Sequence, residues 1–104
     1  MNELITNAPD QAAHGCASRE FAIVNRKGLH ARATAKFVQC CEKYDALITV
    51  TKGGETVGGS SIMAILTLGA GQGSTIVVTA EGPQANEALD ALEALIADRF
   101  GEDE

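Results

Sequence analysis

The sequence predicts an α+β domain in which a β-sheet is covered on one side by helices. The chain has 104 residues, which suits one domain with a modest core. Its strand-like and helix-like segments follow the order strand, helix, strand, strand, helix, strand, helix. Each helix-like segment carries apolar residues on a single face, and a sheet with all helices on one side buries those faces.

The first half of the chain contains a predicted strand, helix and hairpin. The segment 1–18 is polar and lacks a period, so we interpret it as a flexible extension that precedes a strand at 19–25. A helix is predicted at 31–43, because apolar residues recur there at helical spacing. Strands at 46–52 and 55–59 flank Gly53-Gly54, which predicts a type I′ turn with positive φ at both glycines.

The second half contains a short helix, a strand and a long helix. Ser60-Ser61 offers an N-cap to a helix that Gly69 ends, and the β-branched segment 74–80 predicts a strand. Pro83 is expected near the first position of the last helix. The buried stripe of that helix is predicted to contain Ala88, Leu89, Leu92, Leu95, Ile96 and Phe100. Residues 102–104 form an acidic tail after a domain that spans 19–101.

Composition and charge exclude several classes of protein. The formal net charge of −6 argues against nucleic acid as the main partner, because phosphate backbones attract basic surfaces. No apolar run approaches the roughly 20 residues that cross a bilayer, and the start of the chain lacks a basic, then apolar, secretory signal. The three cysteines are an odd number and two are adjacent, which argues against a disulfide framework. We therefore expect a cytoplasmic protein that binds neither membrane nor nucleic acid.

Positive charge is concentrated between the first strand and the first helix. The segment 25–36 holds four of the eight Lys and Arg residues, and no Asp or Glu occurs from 21 to 41. His30 precedes the predicted helix, whose first backbone N–H groups lack internal partners and carry the positive end of the helix dipole. This position favours an anion, and phosphate in particular.

Two interpretations of His30 follow from these residues alone. A neutral imidazole can act as a nucleophile near neutral pH, and the planar guanidinium of Arg32 can grip phosphate oxygens. The ring would then accept a hydrogen bond from an N–H group at the start of the helix. Alternatively, His30 stands in for an N-cap and the basic cluster is a solvated surface. The local residues leave both interpretations open.

A wider pattern resembles a known family. Gly28-Leu29-His30-Ala31-Arg32, followed by Ser61-Ile62-Met63 and Leu68-Gly69, resembles the histidine-containing phosphocarrier (HPr) family of the bacterial phosphoenolpyruvate-dependent phosphotransferase system, over about 19–101. The resemblance implies an open-faced β-sandwich with four antiparallel strands in the order 1-4-2-3 under three helices. It implies that His30 accepts a phosphoryl group on Nδ1 from phosphorylated enzyme I and passes it to a histidine of enzyme IIA. It also implies that Arg32 neutralises the phosphate during transfer.

The second helix carries the predicted docking and regulatory residues. A two-turn helix cannot bury every side, so we expect Ile62 to be exposed and Ile65 to lie in the core. The resemblance implies a partner-binding surface made of Ala31, Lys36, Ile62, Met63 and Leu66. It matches Ser61 to a serine that an HPr kinase/phosphatase modifies in some members, although neighbouring Ser60 leaves the choice of hydroxyl open, and an N-cap serine needs no regulatory role.

The chain departs from the family pattern at Ala33-Thr34, where the family usually has Pro-Ala. The loss of proline loosens the helix start by about 0.4–1 kcal/mol, and we expect transfer to survive. We expect a monomeric carrier rather than an independent enzyme, with no metal or cofactor, because the phosphoryl donor is another protein. The alternative is a regulatory module of a nitrogen-type phosphotransferase system, whose affinity for target proteins depends on its phosphorylation. A catalytic pair of His30 with Cys40 or Cys41 has less support.

Overall fold

The computed structural model describes residues 16–104 and contains a four-stranded antiparallel sheet with helices on one face. The strand order is β1-β4-β2-β3, so the predicted fold is confirmed. The strands are β1 (Cys16–Ala22), β2 (Leu47–Lys52), β3 (Glu55–Gly58) and β4 (Thr75–Glu81). The helices are α1 (Ala31–Glu42), α2 (Ile62–Leu66) and α3 (Ala85–Ala97), and a 3₁₀ turn follows at Arg99–Gly101. In the part of the chain from 16 to 104, none of the helices has the length and apolar character needed to span a bilayer.

The core lies between the sheet and the helices. Strand β4 is central and pairs antiparallel with both β1 and β2. Its Ile76, Val78 and Ala80 are fully buried, while the residues between them are only partly buried, as expected when alternate side chains point to opposite faces of a sheet. The helices cover this face with fully buried side chains such as Phe37, Leu89 and Leu92. The sheet therefore has one packed face and one open face.

Strand β1 begins earlier than the sequence predicts. Cys16 pairs with Glu81 and Ala22 pairs with Thr75, so residues 16–18 belong to the sheet and not to the extension. The start of the strand is hard to predict because Ser18 is polar. Its side chain lies on the open face of the sheet, where its hydroxyl forms a hydrogen bond with the Thr79 hydroxyl at 2.8 Å. The remainder of the predicted extension, residues 1–15, lies outside the described residues.

The last helix also differs from its prediction at both ends. It begins at Ala85, so Pro83 lies in the preceding turn and not at the first helical position. It ends at Ala97, and Phe100 reaches the core from outside the helix because Arg99 and Phe100 have φ values of 56° and 55°. This left-handed pair reverses the chain direction and sends the last residues back across the surface.

The predicted turns of the hairpin and the short helix are present. Gly53 and Gly54 have φ values of 58° and 85°, as a type I′ turn requires. Ser61, rather than Ser60, is the N-cap of α2, and its side-chain oxygen accepts a hydrogen bond from the Ala64 N–H at 3.2 Å. The local sequence is therefore sufficient to predict the hairpin turn and the N-terminus of the short helix.

The corner before α1 depends on a close approach of two backbone segments. Gly28 has φ of 66°, and a Cβ added there would lie 2.6 Å from the Ala70 carbonyl oxygen and 2.7 Å from the Gly71 Cα. Leu29 donates its N–H to the same Ala70 oxygen at 2.8 Å. Only glycine permits this contact, which holds the corner against the loop before β4.

We expect Gly28→Ala to destabilise the fold more than Gly69→Ala. Both positions have nearly the same positive φ, 66° and 63°, but nothing lies within 4 Å of a Cβ added at Gly69. Left-handed strain costs roughly 1–2 kcal/mol in either variant, and the steric clash adds about 1–3 kcal/mol at Gly28 alone. Urea unfolding of both variants measures the difference. Equal losses in free energy of unfolding would show that the contact with Ala70 is unimportant.

Candidate functional site

His30 lies at the boundary between the Gly28 corner and α1. Its backbone is extended, with φ −79° and ψ −178°, and its carbonyl accepts the Thr34 N–H at 2.8 Å. The Thr34 hydroxyl also donates to the Leu29 carbonyl at 3.1 Å. These two bonds hold the carbonyl groups of Leu29 and His30 in place. They therefore fix the point at the helix N-terminus from which the His30 side chain projects.

The imidazole ring contacts a carboxylate instead of the helix backbone. The His30 side chain makes no capping hydrogen bond, so the expectation that it accepts one from a helix N–H is wrong. Its Nε2 lies 2.5 Å from Oε2 of Glu102, and the two side chains are 28% and 18% exposed. The carboxylate of Glu102, from the C-terminal tail, is the hydrogen-bond partner of the ring in place of a helix N–H group. The ring remains partly open to solvent.

Glu102 is itself held in place by a buried amide. Its Oε1 accepts a hydrogen bond from Asn25 Nδ2 at 3.0 Å, and the same Nδ2 donates to the Gly28 carbonyl at 2.8 Å. Asn25 is fully buried at the end of the segment that follows β1. The Gly28 corner, Asn25, Glu102 and His30 therefore form one connected hydrogen-bonded group.

The proton arrangement follows from the donor and acceptor types. A carboxylate oxygen accepts, so we assign the ring proton to Nε2, which leaves the Nδ1 lone pair available. The hydrogen bonds from His30 and then from Asn25 lower the pKa of Glu102, and the charge of Lys27 acts in the same direction against the opposing effect of burial. Glu102 is therefore a carboxylate near neutral pH.

A cavity of 410 Å³ lies beside this group. Its wall contains residues 101–104 and all four cations of the basic window, namely Arg26, Lys27, Arg32 and Lys36. Glu102 lines the cavity and also contacts the ring, so it links His30 to the cavity, although His30 itself is not one of the lining residues. The space is large enough for a phosphoryl group, and its cationic wall suits an anion.

The cations of this wall differ in whether they already have a partner among residues 16–104. Arg26 forms an ion pair with the Glu104 carboxylate at 2.6 Å, and Lys36 donates from Nζ to the Phe100 carbonyl at 2.6 Å. Arg32 is exposed and has no ion pair with any residue from 16 to 104. Lys27 is likewise exposed and has no ion pair within these residues, so Arg32 and Lys27 are the cations best able to bind an anion that enters the cavity, and of the two only Arg32 has a planar guanidinium that can bind two oxygens at once.

Three of the five residues of the predicted docking surface are exposed, and the surface adjoins α1. Met63 is 72% exposed and Ile62 is 38% exposed, whereas Ile65 is fully buried, so both expectations about this helix are confirmed. Leu66 and Lys36 are partly buried and Ala31 is exposed. Helix α2 packs against α1, which joins the apolar patch to the helix that carries the site.

The serines and cysteines have different environments. Ser60 and Ser61 are both exposed, and only Ser61 makes a capping hydrogen bond.

Burial raises the pKa of the Cys41 thiol to about 12 and also raises the pKa of Cys40. Neither thiol is ionised near neutral pH, so a catalytic cysteine beside His30 gains no support.

Sequence reasoning assigned no role to Asn25 or to the side chain of Glu102. The one available signal is charge complementarity, because the chain ends with three acidic residues and has a basic window free of Asp and Glu. That signal indicates attraction but not which carboxylate meets which cation. The contact between His30 and Glu102 joins residues 72 positions apart, which no local spacing predicts.

The lowered pKa of Glu102 predicts a pH-dependent contribution to stability. A carboxyl group whose pKa is lower in the folded state stabilises the fold above its unfolded pKa, and this stabilisation is lost as the pH falls through the folded pKa. We therefore expect Glu102→Gln to reduce the free energy of unfolding near pH 7 and to have little effect near pH 2. Urea unfolding at both pH values measures this. A penalty of the same size at both values would contradict the contact.

Comparisons with known proteins give consistent matches. The family model PTS-HPr, described as the PTS HPr component phosphorylation site, matches residues 17–98. The phosphocarrier protein HPr of Cupriavidus necator is 45% identical over 86 residues, covering 83% of this chain and 97% of that protein. HPr of Pseudomonas aeruginosa is 46% identical over 86 residues, covering 82% and 96%. The phosphocarrier protein NPr of Shewanella violacea is 38% identical over 84 residues, covering 81% and 92%.

A solved structure agrees with these sequence matches. The crystal structure of HPr-C-His from Thermoanaerobacter tengcongensis superimposes with a TM-score of 0.81 at 41% sequence identity. The superposition covers 85% of this chain and 99% of that one. The similarity therefore extends across nearly the whole described sheet and helix layer.

Proposed function

This chain belongs to the HPr family of the phosphotransferase system, and we propose that His30 is the residue that carries its phosphoryl group. The protein is a phosphocarrier of that system. The observation that carries the proposal is the contact of the ring: Nε2 faces Glu102, which leaves the lone pair on Nδ1, and Glu102 also lines the cavity that holds the four cations.

We infer that phosphorylated enzyme I is the donor and that a histidine of enzyme IIA is the acceptor. The His30 Nδ1 lone pair forms a bond to phosphorus as the bond between phosphorus and the donor atom breaks, and the reverse sequence delivers the group to the acceptor. The partly exposed ring supports this exchange between proteins, because both partners must reach it. We expect the carrier to act as a monomer in the cytoplasm, and the three free cysteines agree with a reducing compartment.

Arg32 is proposed to bind the phosphoryl oxygens during transfer. It lines the cavity and has no ion pair within residues 16–104, so it can bind the anion without first releasing another partner. A guanidinium binds two oxygens at once and so fixes the orientation of the group as well as its charge.

The surface of Ala31, Lys36, Ile62, Met63 and Leu66 is proposed to dock the partner proteins. An exposed apolar patch beside basic residues suits a transient partner that is released after transfer. Ser61 is a proposed regulatory phosphorylation site at the edge of this surface, where a kinase/phosphatase could reach its exposed side chain. A phosphate there would add negative charge to the docking surface.

The nitrogen-type branch is the second candidate, supported by the 38% identity to the NPr of Shewanella violacea. In that case the same surface would bind regulatory target proteins according to the phosphorylation state of His30. The chemistry of the ring would be unchanged, and only the acceptor would differ.

We expect enzyme I and phosphoenolpyruvate to add one acid-labile phosphoryl group, measured by intact mass. His30→Ala should abolish the addition, whereas His14→Ala, which removes the other histidine of the chain, should leave it unchanged. Arg32→Ala should slow transfer by about 10-fold or more, since a charge-assisted contact is worth roughly 1.5–3 kcal/mol, and Arg32→Lys should recover part of the rate. A phosphoryl group retained by His30→Ala would overturn the proposed site.

We expect Met63→Asp to weaken binding to enzyme I by 10-fold or more, because it replaces the most exposed apolar side chain of the patch with a charge. Leu47→Asp is the matched control, since Leu47 is 68% exposed against 72% for Met63 and lies outside the docking surface. Ser61→Asp should weaken binding without unfolding the protein. Titration calorimetry with unphosphorylated enzyme I measures all three, and equal effects of the Met63 and Leu47 variants would argue against this surface.

A further inference from the structure

We propose that Glu102 is a positioning residue that holds a proton on Nε2 of His30 throughout phosphoryl transfer, so that Nδ1 is always the reacting nitrogen. The inference rests on the proposed function of His30 and adds a role for the C-terminal tail. It assigns that role to one carboxylate and not to the acidic character of the tail as a whole.

The contacts of Glu102 support a fixed geometry. One carboxylate oxygen lies 2.5 Å from Nε2, and the other accepts the Asn25 Nδ2 hydrogen bond at 3.0 Å. The orientation of the Asn25 amide is determined, because the opposite orientation would point Oδ1 at the Gly28 carbonyl and at Glu102, which are both acceptors. The carboxylate is thus bonded on both oxygens and aimed at one ring nitrogen.

A proton retained on Nε2 simplifies the transfer step. When the Nδ1 lone pair forms the bond to phosphorus, the donor atom keeps the electron pair of the bond that breaks. The ring then has substituents on both nitrogens and carries a positive charge, which the Glu102 carboxylate neutralises. When the group leaves, its bonding pair stays on Nδ1 and the neutral ring with its Nε2 proton is restored. No proton has to enter or leave the site.

The charge of Glu102 also affects the reactivity of the phosphorylated ring. A positively charged ring is a better leaving group than a neutral one, so a carboxylate that keeps Nε2 protonated makes the phosphoryl group labile near neutral pH. The other charged groups around the cavity are Arg26, Lys27, Arg32 and Lys36, with Asp103 and Glu104 on the tail. Within the described residues, only Glu102 makes a direct polar contact with the ring.

The first test uses the unphosphorylated full chain, labelled with ¹⁵N at histidine. We expect a slowly exchanging Nε2 proton on His30 in wild type, its loss in Glu102→Ala, and its retention in Asp103→Asn. The Asp103 variant removes the same charge from the same tail without removing the contact. Loss of the signal in both variants, or in neither, would overturn the proposal.

The second test uses phosphoramidate, a small donor that phosphorylates imidazoles without a partner protein, on the His14→Ala background so that His30 is the only histidine. NMR of the product identifies the modified nitrogen. We expect Nδ1 in wild type and in Asp103→Asn, and a mixture with substantial Nε2 product in Glu102→Ala. The same product from all three proteins would contradict a positioning role.

Hydrolysis of the Nδ1-phosphorylated proteins provides the third measurement. We expect Glu102→Ala and Glu102→Gln to slow hydrolysis near pH 7 by about threefold or more and to move its pH profile to lower pH, with no change in Asp103→Asn. Equal slowing in the Asp103 variant would assign the effect to net tail charge. If enzyme I fails to phosphorylate wild type while the phosphoramidate results hold, the proposed function fails and the positioning role stands.

Discussion

The site depends on the close contact between the Gly28 corner and the Ala70 segment. A side chain at Gly28 would overlap the Ala70 carbonyl, and the Leu29 N–H bonds the same oxygen. This contact fixes where the chain turns from β1 into α1, and therefore where His30 stands at the helix N-terminus. The Gly28 carbonyl also accepts the Asn25 amide that orients Glu102. One steric constraint thus determines both the position of the ring and the position of its carboxylate partner.

The electrostatics of the site combine a basic wall with an acidic tail. The cations of the window attract an anion, while the tail already satisfies Arg26 and the carbonyl of Phe100 satisfies Lys36. Within residues 16–104, Arg32 and Lys27 remain without an ion pair and can bind an anion, helped by a helix N-terminus worth about 0.3–1 kcal/mol. Attraction of this modest size suits a carrier, because a group that is bound too tightly cannot be passed on. The acidic residues near the cavity limit the affinity further, since they repel an anion.

Local patterns predicted much of the fold for clear reasons. Gly53-Gly54 formed the expected turn because the required φ values suit glycine, and Ile62 and Ile65 separated into exposed and buried positions because a short helix has one inner side. The errors have equally clear causes. Ser18 joins β1 through pairing with Thr79 on another strand, and Pro83 lies in a turn whose next residue, Gln84, bonds Asp45. Phe100 is buried as predicted, but from a left-handed turn that an apolar stripe cannot reveal.

The sequence by itself determined the order of the elements, the placement of His30 before the first helix and the gathering of four cations around it, because these depend on residues close together in the chain. The family pattern added the expectation that Nδ1 reacts and that enzyme I and enzyme IIA exchange the group. Only the tertiary structure decided what the imidazole contacts. Glu102 reaches His30 across 72 positions because Arg99 and Phe100 turn the chain back over the site, and a contact made by chain reversal leaves no periodic trace in the sequence.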